Sequence, residues 1–145
     1  MTCTLAGCLL VLCVGADPLN EAALKELKAL EGDWVVQRLE TDGKKHEPEE
    51  GERLQLTIKG TSWSFPATGE KGEVVALDPT CNPRLIDLKA VTRSGKTFTR
   101  EGIYKKDGDT LLISIKQGED KKRPTTFDTP TEAGTVLFVL KRAKP

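Results

Sequence analysis

Between Trp34 and Lys141, apolar side chains recur at every second position in about eight short runs, the period of strands that bury one face. Arg53–Lys59 shows the pattern most cleanly. Leu54, Leu56 and Ile58 point one way, and Arg53, Gln55, Thr57 and Lys59 the other. Ser62–Ala67 sets Trp63 and Phe65 against Ser62 and Ser64. Trp34–Thr41, Glu73–Leu77, Arg84–Val91, Lys96–Lys105, Thr110–Lys116 and Thr135–Lys141 complete the set. Ile86 and Leu88 are the expected inward pair of the Arg84 run, with Leu111, Ile113 and Ile115 inward in the Thr110 run. Asp42-Gly43 and Asp107-Gly108 are turn pairs. Short connections imply hairpins and an antiparallel meander, and about eight such strands can close and so remove the sheet's edges. The expected fold is therefore all-β: an antiparallel up-and-down β-barrel of about eight strands with one short N-terminal helix.

That helix is expected over Asp17-Pro18 to Leu30-Glu31, capped by Asp17, with Pro18 in the first turn and Gly32 at the C-cap. Ala23, Leu24, Leu27 and Leu30 form its apolar face. The last strand is apolar on both faces, from Val136 to Leu140, which predicts that the helix lies across its outer side. Gln117–Gly134 is a long polar loop rich in Pro, Thr and charge, of a length that is usually functional or mobile.

Residues Met1–Ala16 carry no Asp, Glu, Lys or Arg, and their apolar run is too short to span a bilayer. Val14-Gly15-Ala16 offers small residues for cleavage. The expected organisation is a signal peptide over 1–16 and one domain over 17–145, exported to the periplasm or secreted, with no transmembrane span in the mature form. A basic n-region is missing, which a start codon placed too far downstream would explain. Leu5-Ala6-Gly7-Cys8 also reads as a lipobox, but the apolar run continues past Cys8. Cleavage would remove Cys3, Cys8 and Cys13 and leave Cys81 as the one cysteine of the mature chain. It is expected to be a small residue of the polar turn Pro79-Thr80-Cys81-Asn82-Pro83 that packs little. Equal counts of Lys+Arg and Asp+Glu, 22 each, leave no global field to attract nucleic acid.

Chemistry-bearing patterns are sparse. His46 is the one histidine, in a charged stretch with Glu47 and Glu49 that does not fix a ligand set, so no metal is expected. No serine sits in a nucleophile elbow, and no glycine-rich phosphate loop opens a helix. Neither catalytic residues nor a cofactor are expected, and the chain does not read as an enzyme. Lys121-Lys122-Arg123 reads as solvating the long loop, or as an anion contact at a barrel rim. Arg38 and Arg100 lie within strands, and one that pointed inward would anchor an acidic ligand. A single bulge reverses strand parity, so both orientations stay open.

Gly32-Asp33-Trp34 heads the strand region and Arg142 follows its last run. This pairing resembles the calycin group (lipocalins, fatty-acid-binding proteins and their relatives), where the Trp packs under the barrel and a late Arg covers it. The resemblance implies a structural barrel floor of Gly32, Trp34 and Arg142, with Lys141 the alternative partner if parity shifts. Leu30-Glu31-Gly32-Asp33-Trp34, Leu77-Asp78-Pro79-Thr80, Ile86-Asp87-Leu88, Gly102-Ile103-Tyr104, Gly108-Asp109-Thr110-Leu111, Arg123-Pro124-Thr125 with Phe127, and Val139-Leu140-Lys141-Arg142 occur in this order. Together they are similar to a family of uncharacterised, often exported domains expanded in planctomycete bacteria. That resemblance implies a fold and a compartment and no catalytic residue, and Cys81-Asn82 departs from the charged residues usual there. The preferred reading is a non-enzymatic binding domain for a small apolar or amphipathic ligand, with Trp34, Trp63, Phe65, Ile86, Phe98, Tyr104 and Phe138 as candidate lining. The alternative is a structural or protein-interaction module of the cell envelope, with a filled barrel and Gln117–Gly134 as its working surface.

Overall fold

The chain is described by a computed structural model covering residues 19–118 and 120–144. The expected leader, Asp17 and Pro18 lie outside the described residues. One helix, α1 (Glu21–Leu30), precedes nine strands: β1 (Gly32–Thr41), β2 (Lys44–His46), β3 (Gln55–Lys59), β4 (Ser62–Phe65), β5 (Glu70–Asp78), β6 (Arg84–Val91), β7 (Thr97–Asp107), β8 (Thr110–Lys116) and β9 (Thr135–Arg142). From β3 to β9 each strand pairs antiparallel with the next, and β1 pairs with both β3 and β9 to close an eight-stranded barrel. The ninth strand, β2, is a short hairpin arm on the far end of β1, where Leu39–Thr41 face Lys44–His46.

The helix begins at Glu21, where the Asn20 side chain accepts a 2.9 Å hydrogen bond from the Ala23 N–H. Asn20, not Asp17, therefore supplies the N-cap of the described helix. Ala23, Leu27 and Leu30 form the buried stripe, while Leu24 is 50% exposed, contrary to its expected place on that face. The stripe closes one end of the barrel, against Trp34, Leu77, Tyr104, Leu111 and Leu140.

So α1 does not lie on the outer side of β9, as the two-sided apolar pattern suggested. The Gln117–Gly134 segment does that work. A row of register partners, Leu85, Ile103, Ser114 and Leu137, crosses the outer face of β6 to β9, and all four are buried. Phe127 packs against the Leu85 and Ile103 cluster, and Pro124 and Thr129 of the same segment are buried. Arg123 Nη1 lies 2.7 Å from Asp87 Oδ1 on β6 and donates to the Gly102 carbonyl of β7 at 2.9 Å. The basic run does not merely solvate its loop, then: its arginine fastens the loop to the sheet.

Cys81 is also corrected. It is buried with Leu85, Ile103 and Phe127, and its Sγ lies 3.2 Å from Asp78 Oδ2. The turn that carries it is anchored rather than idle.

Candidate binding cavity

Two irregularities decide which side chains face inward. The β1–β9 register shifts between Val36 and Arg38, leaving Gln37 as a one-residue bulge. Counting by twos from Trp34 would turn Arg38 inward; the bulge turns Leu39 and Thr41 inward instead. Arg38 stays outside, its Nε 3.0 Å from Glu40 Oε1. A second shift between Val74 and Ala76 does the same in β5, exposing Val75 and burying Leu77.

The end of the barrel beneath α1 is solid. Trp34 is fully buried, and its indole N–H donates to the Leu30 carbonyl at 2.9 Å. Arg142 pairs across the ladder with Trp34 and lays its guanidinium 4.2 Å from an indole ring centroid. Its Nη1 and Nη2 donate to the carbonyls of Glu31 and Ala29, at 2.8 and 3.1 Å. Three carbonyls at the helix C-terminus, the end that attracts cations, thus find donors. Gly32 adopts φ +126° here, and a Cβ on it would come within 2.9 Å of Arg142 Nη1, so glycine is required twice over. Gly32, Trp34 and Arg142 meet in one cluster; Lys141 is exposed and pairs with Val35 instead.

Tyr104 and Ile86 belong to the same packed layer. The Tyr104 hydroxyl donates to Glu26 Oε1 at 3.2 Å, and Arg84 Nη1 donates to that oxygen at 2.8 Å. Burial, reinforced by the Glu26 carboxylate, pushes the phenol well above its usual pKa. Trp34, Ile86 and Tyr104 are therefore floor rather than pocket wall, a correction to three of the seven expected lining residues. Parity predicts that they face inward, but depth along the barrel depends on where the helix caps it.

The other end holds a cavity of about 310 Å³. Trp63, Phe65 and Phe138 line it as expected, the two phenyl rings edge to face with centroids 6.2 Å apart. Leu39, Leu56, Leu88, Ile113, Ile115 and Val136 complete the apolar wall. These aliphatic residues were missed because the expected lining was drawn from the aromatic residues and Ile86; Ile113 and Ile115 were legible as inward from their alternation. Thr41, Thr68, Glu70, Arg100 and Gln117 add polar groups to the lining. The volume is at the lower end of the range for small-molecule sites, and the mix of apolar wall and few polar groups is typical of them.

Of the two strand arginines, Arg100 is the one that reaches the cavity. It shares its face with Phe98, whose ring centroid is 4.6 Å from the guanidinium carbon, and its Nη2 lies 3.4 Å from Glu70 Oε1. Phe98 lines a neighbouring polar cleft rather than the apolar cavity. The indole N–H of Trp63 and the Nε–H of Arg100 are buried without a hydrogen-bond partner among the described residues. His46, Glu47 and Glu49 are all exposed, and no group of three candidate metal ligands converges among the described residues. Compared with family models, curated proteins and solved structures, the chain finds no match.

Proposed function

We propose that this barrel is an exported, non-enzymatic binding domain that takes a small apolar or amphipathic ligand into its open end. The observation that carries the reading is the cavity of about 310 Å³ between Trp63, Phe65, Phe138 and the aliphatic wall. A barrel that served only as a scaffold gains stability by filling such a space, since each lost packing contact weakens the core. The envelope-module alternative requires a filled interior and a displayed loop, and here the Gln117–Gly134 segment is fastened down through Arg123 and Asp87. We extend the proposal to compartment and kinship: export by cleavage after Ala16, and membership of the uncharacterised planctomycete domains that the spaced motifs resemble.

Titration with an environment-sensitive apolar dye tests the reading. The protein should bind the dye in one saturable site, and Ile115→Phe, which adds bulk to the cavity wall, should abolish binding while the protein stays folded. Equal binding by the variant would place the dye elsewhere and remove this support.

A further inference from the structure

The wall of the barrel is open at one place. β7 pairs with β6 from Thr97 to Tyr104, but its ladder with β8 starts only at Gly102 opposite Ile115. The stretch Thr97–Glu101 thus has no β8 neighbour, and a cleft of about 360 Å³ lies between it and Gln117-Gly118. Glu70, Arg100 and Gln117 line both this cleft and the apolar cavity, so the two spaces meet at them. One is apolar, and the other carries Lys96, Arg100 and Lys116.

Arg100 stands at the junction and is incompletely satisfied. Its side chain is 22% exposed, and among the described residues its Nε–H has no hydrogen-bond partner and its one carboxylate contact is at 3.4 Å, long beside the roughly 2.7–2.9 Å of a good charge-assisted bond. Lys116 Nζ is 3.7 Å from Glu101, also a loose pairing, and Lys96 forms no ion pair among the described residues. The cleft is far larger than a carboxylate needs, given that a water's share of liquid volume is about 30 Å³. Three basic residues in the lining against Glu70, with Glu101 loosely paired to Lys116, suit a head group with more than one negative charge and several acceptor oxygens. A phosphate monoester has both, with about −1.5 to −2 charge near neutral pH and three acceptor oxygens.

Resting on the cavity reading above, we propose that the ligand is a single-chain amphiphile with a phosphate head: the chain fills the apolar cavity, and Arg100, with Lys96 and Lys116, holds the phosphate in the β7–β8 cleft. Glu70 competes with the phosphate for Arg100, and the three basic side chains disfavour cationic heads.

The test is calorimetric titration with dodecyl phosphate, dodecanoate and dodecanol, each below its micelle concentration. Dodecyl phosphate should bind most tightly, by about tenfold over dodecanol, the scale of a charged hydrogen bond. Arg100→Gln should remove that advantage, weakening dodecyl phosphate far more than dodecanol; Glu70→Gln should tighten dodecyl phosphate. Lys96→Gln, at an exposed turn, should weaken it a few-fold with no effect on folding, which keeps the test intact if the Arg100 variant misfolds. Equal affinity for dodecanol and dodecyl phosphate would overturn the phosphate assignment and leave the cavity reading standing. Dodecanoate binding as tightly as dodecyl phosphate would overturn it too. Failure of all three to bind, together with failure of the apolar dye, would remove the cavity reading itself.

Discussion

The guanidinium of Arg142 lies 4.2 Å from an indole ring centroid of Trp34, and both side chains donate hydrogen bonds to carbonyls at the end of α1. The first and last barrel strands are thereby joined to the helix that closes the barrel. Trp34→Ala should cost about 3–5 kcal/mol, as for a fully buried large aromatic. Arg142→Ala should cost less. A cation over an indole face contributes about 0.5–2 kcal/mol, so a double-mutant cycle by urea unfolding, with Trp34→Phe as the second change, should show coupling of that sign. Part of the Arg142 effect should survive in the Trp34→Phe background, because the bonds to Glu31 and Ala29 do not depend on the indole. Strict additivity would mean that the stacked geometry contributes nothing.

The loop clamp can be tested separately. Arg123 and Asp87 are only 17% and 16% exposed, and Arg123 also donates to the Gly102 carbonyl. Removing one partner of a charge pair leaves the other poorly satisfied, so Arg123→Ala and Asp87→Ala should each cost about 1–3 kcal/mol. The double variant should cost much less than the sum. Limited proteolysis should cut the Arg123 variant between residues 117 and 134 faster than the native protein. Unchanged cleavage would show that Phe127 and Pro124 hold the loop without the arginine.

Gly72 has a different kind of necessity. Its φ is ordinary, but a Cβ there would run into the Lys89 backbone carbonyl of the neighbouring strand. Gly72→Ala should destabilise the fold by about 1–3 kcal/mol or more, the range for forcing atoms into a packed site. A melting temperature equal to that of the native protein would contradict this.

Much of the barrel was legible because alternation with period two is a strong local signal: Leu54, Leu56 and Ile58 of Arg53–Lys59 alternate without interruption, and Asp42-Gly43 and Asp107-Gly108 both mark turns. What escaped was non-local. Gln37 and Val75 look like ordinary strand residues, yet as bulges they reverse the parity of everything after them, so the orientation of Arg38 could not be read. The apolar outer face of β9 was visible, but a helix and a long loop cover such a face equally well. The loop's own signals, Arg123 and Phe127, acquire meaning only beside Asp87 and Ile103. The cavity residues suffered most, since Trp34 and Trp63 carry the same inward signature and differ only in their distance from α1.

Tyr104 gives a pH prediction. Burial beside Glu26 raises the phenol's pKa in the folded protein above the ordinary value near 10. The unfolded chain then loses this proton first as pH rises, so the stabilisation is complete below about pH 10 and declines above it. The chain has a single tyrosine, so absorbance near 295 nm reports this group alone. It should show no phenolate in the folded protein at pH 10.5, and denaturant should bring the signal out. Tyr104→Phe should lose less stability than the native protein between pH 9 and pH 11. Phenolate appearing near pH 10 with the fold intact would contradict the buried geometry.

The open end of the barrel is proposed to hold a small molecule. Native mass spectrometry of the protein purified from its own host tests it most directly. A discrete added mass should appear that is lost on denaturation and is absent from Ile115→Phe prepared in the same way. A bare polypeptide mass in every charge state under gentle conditions, identical for the native protein and the variant, would contradict it.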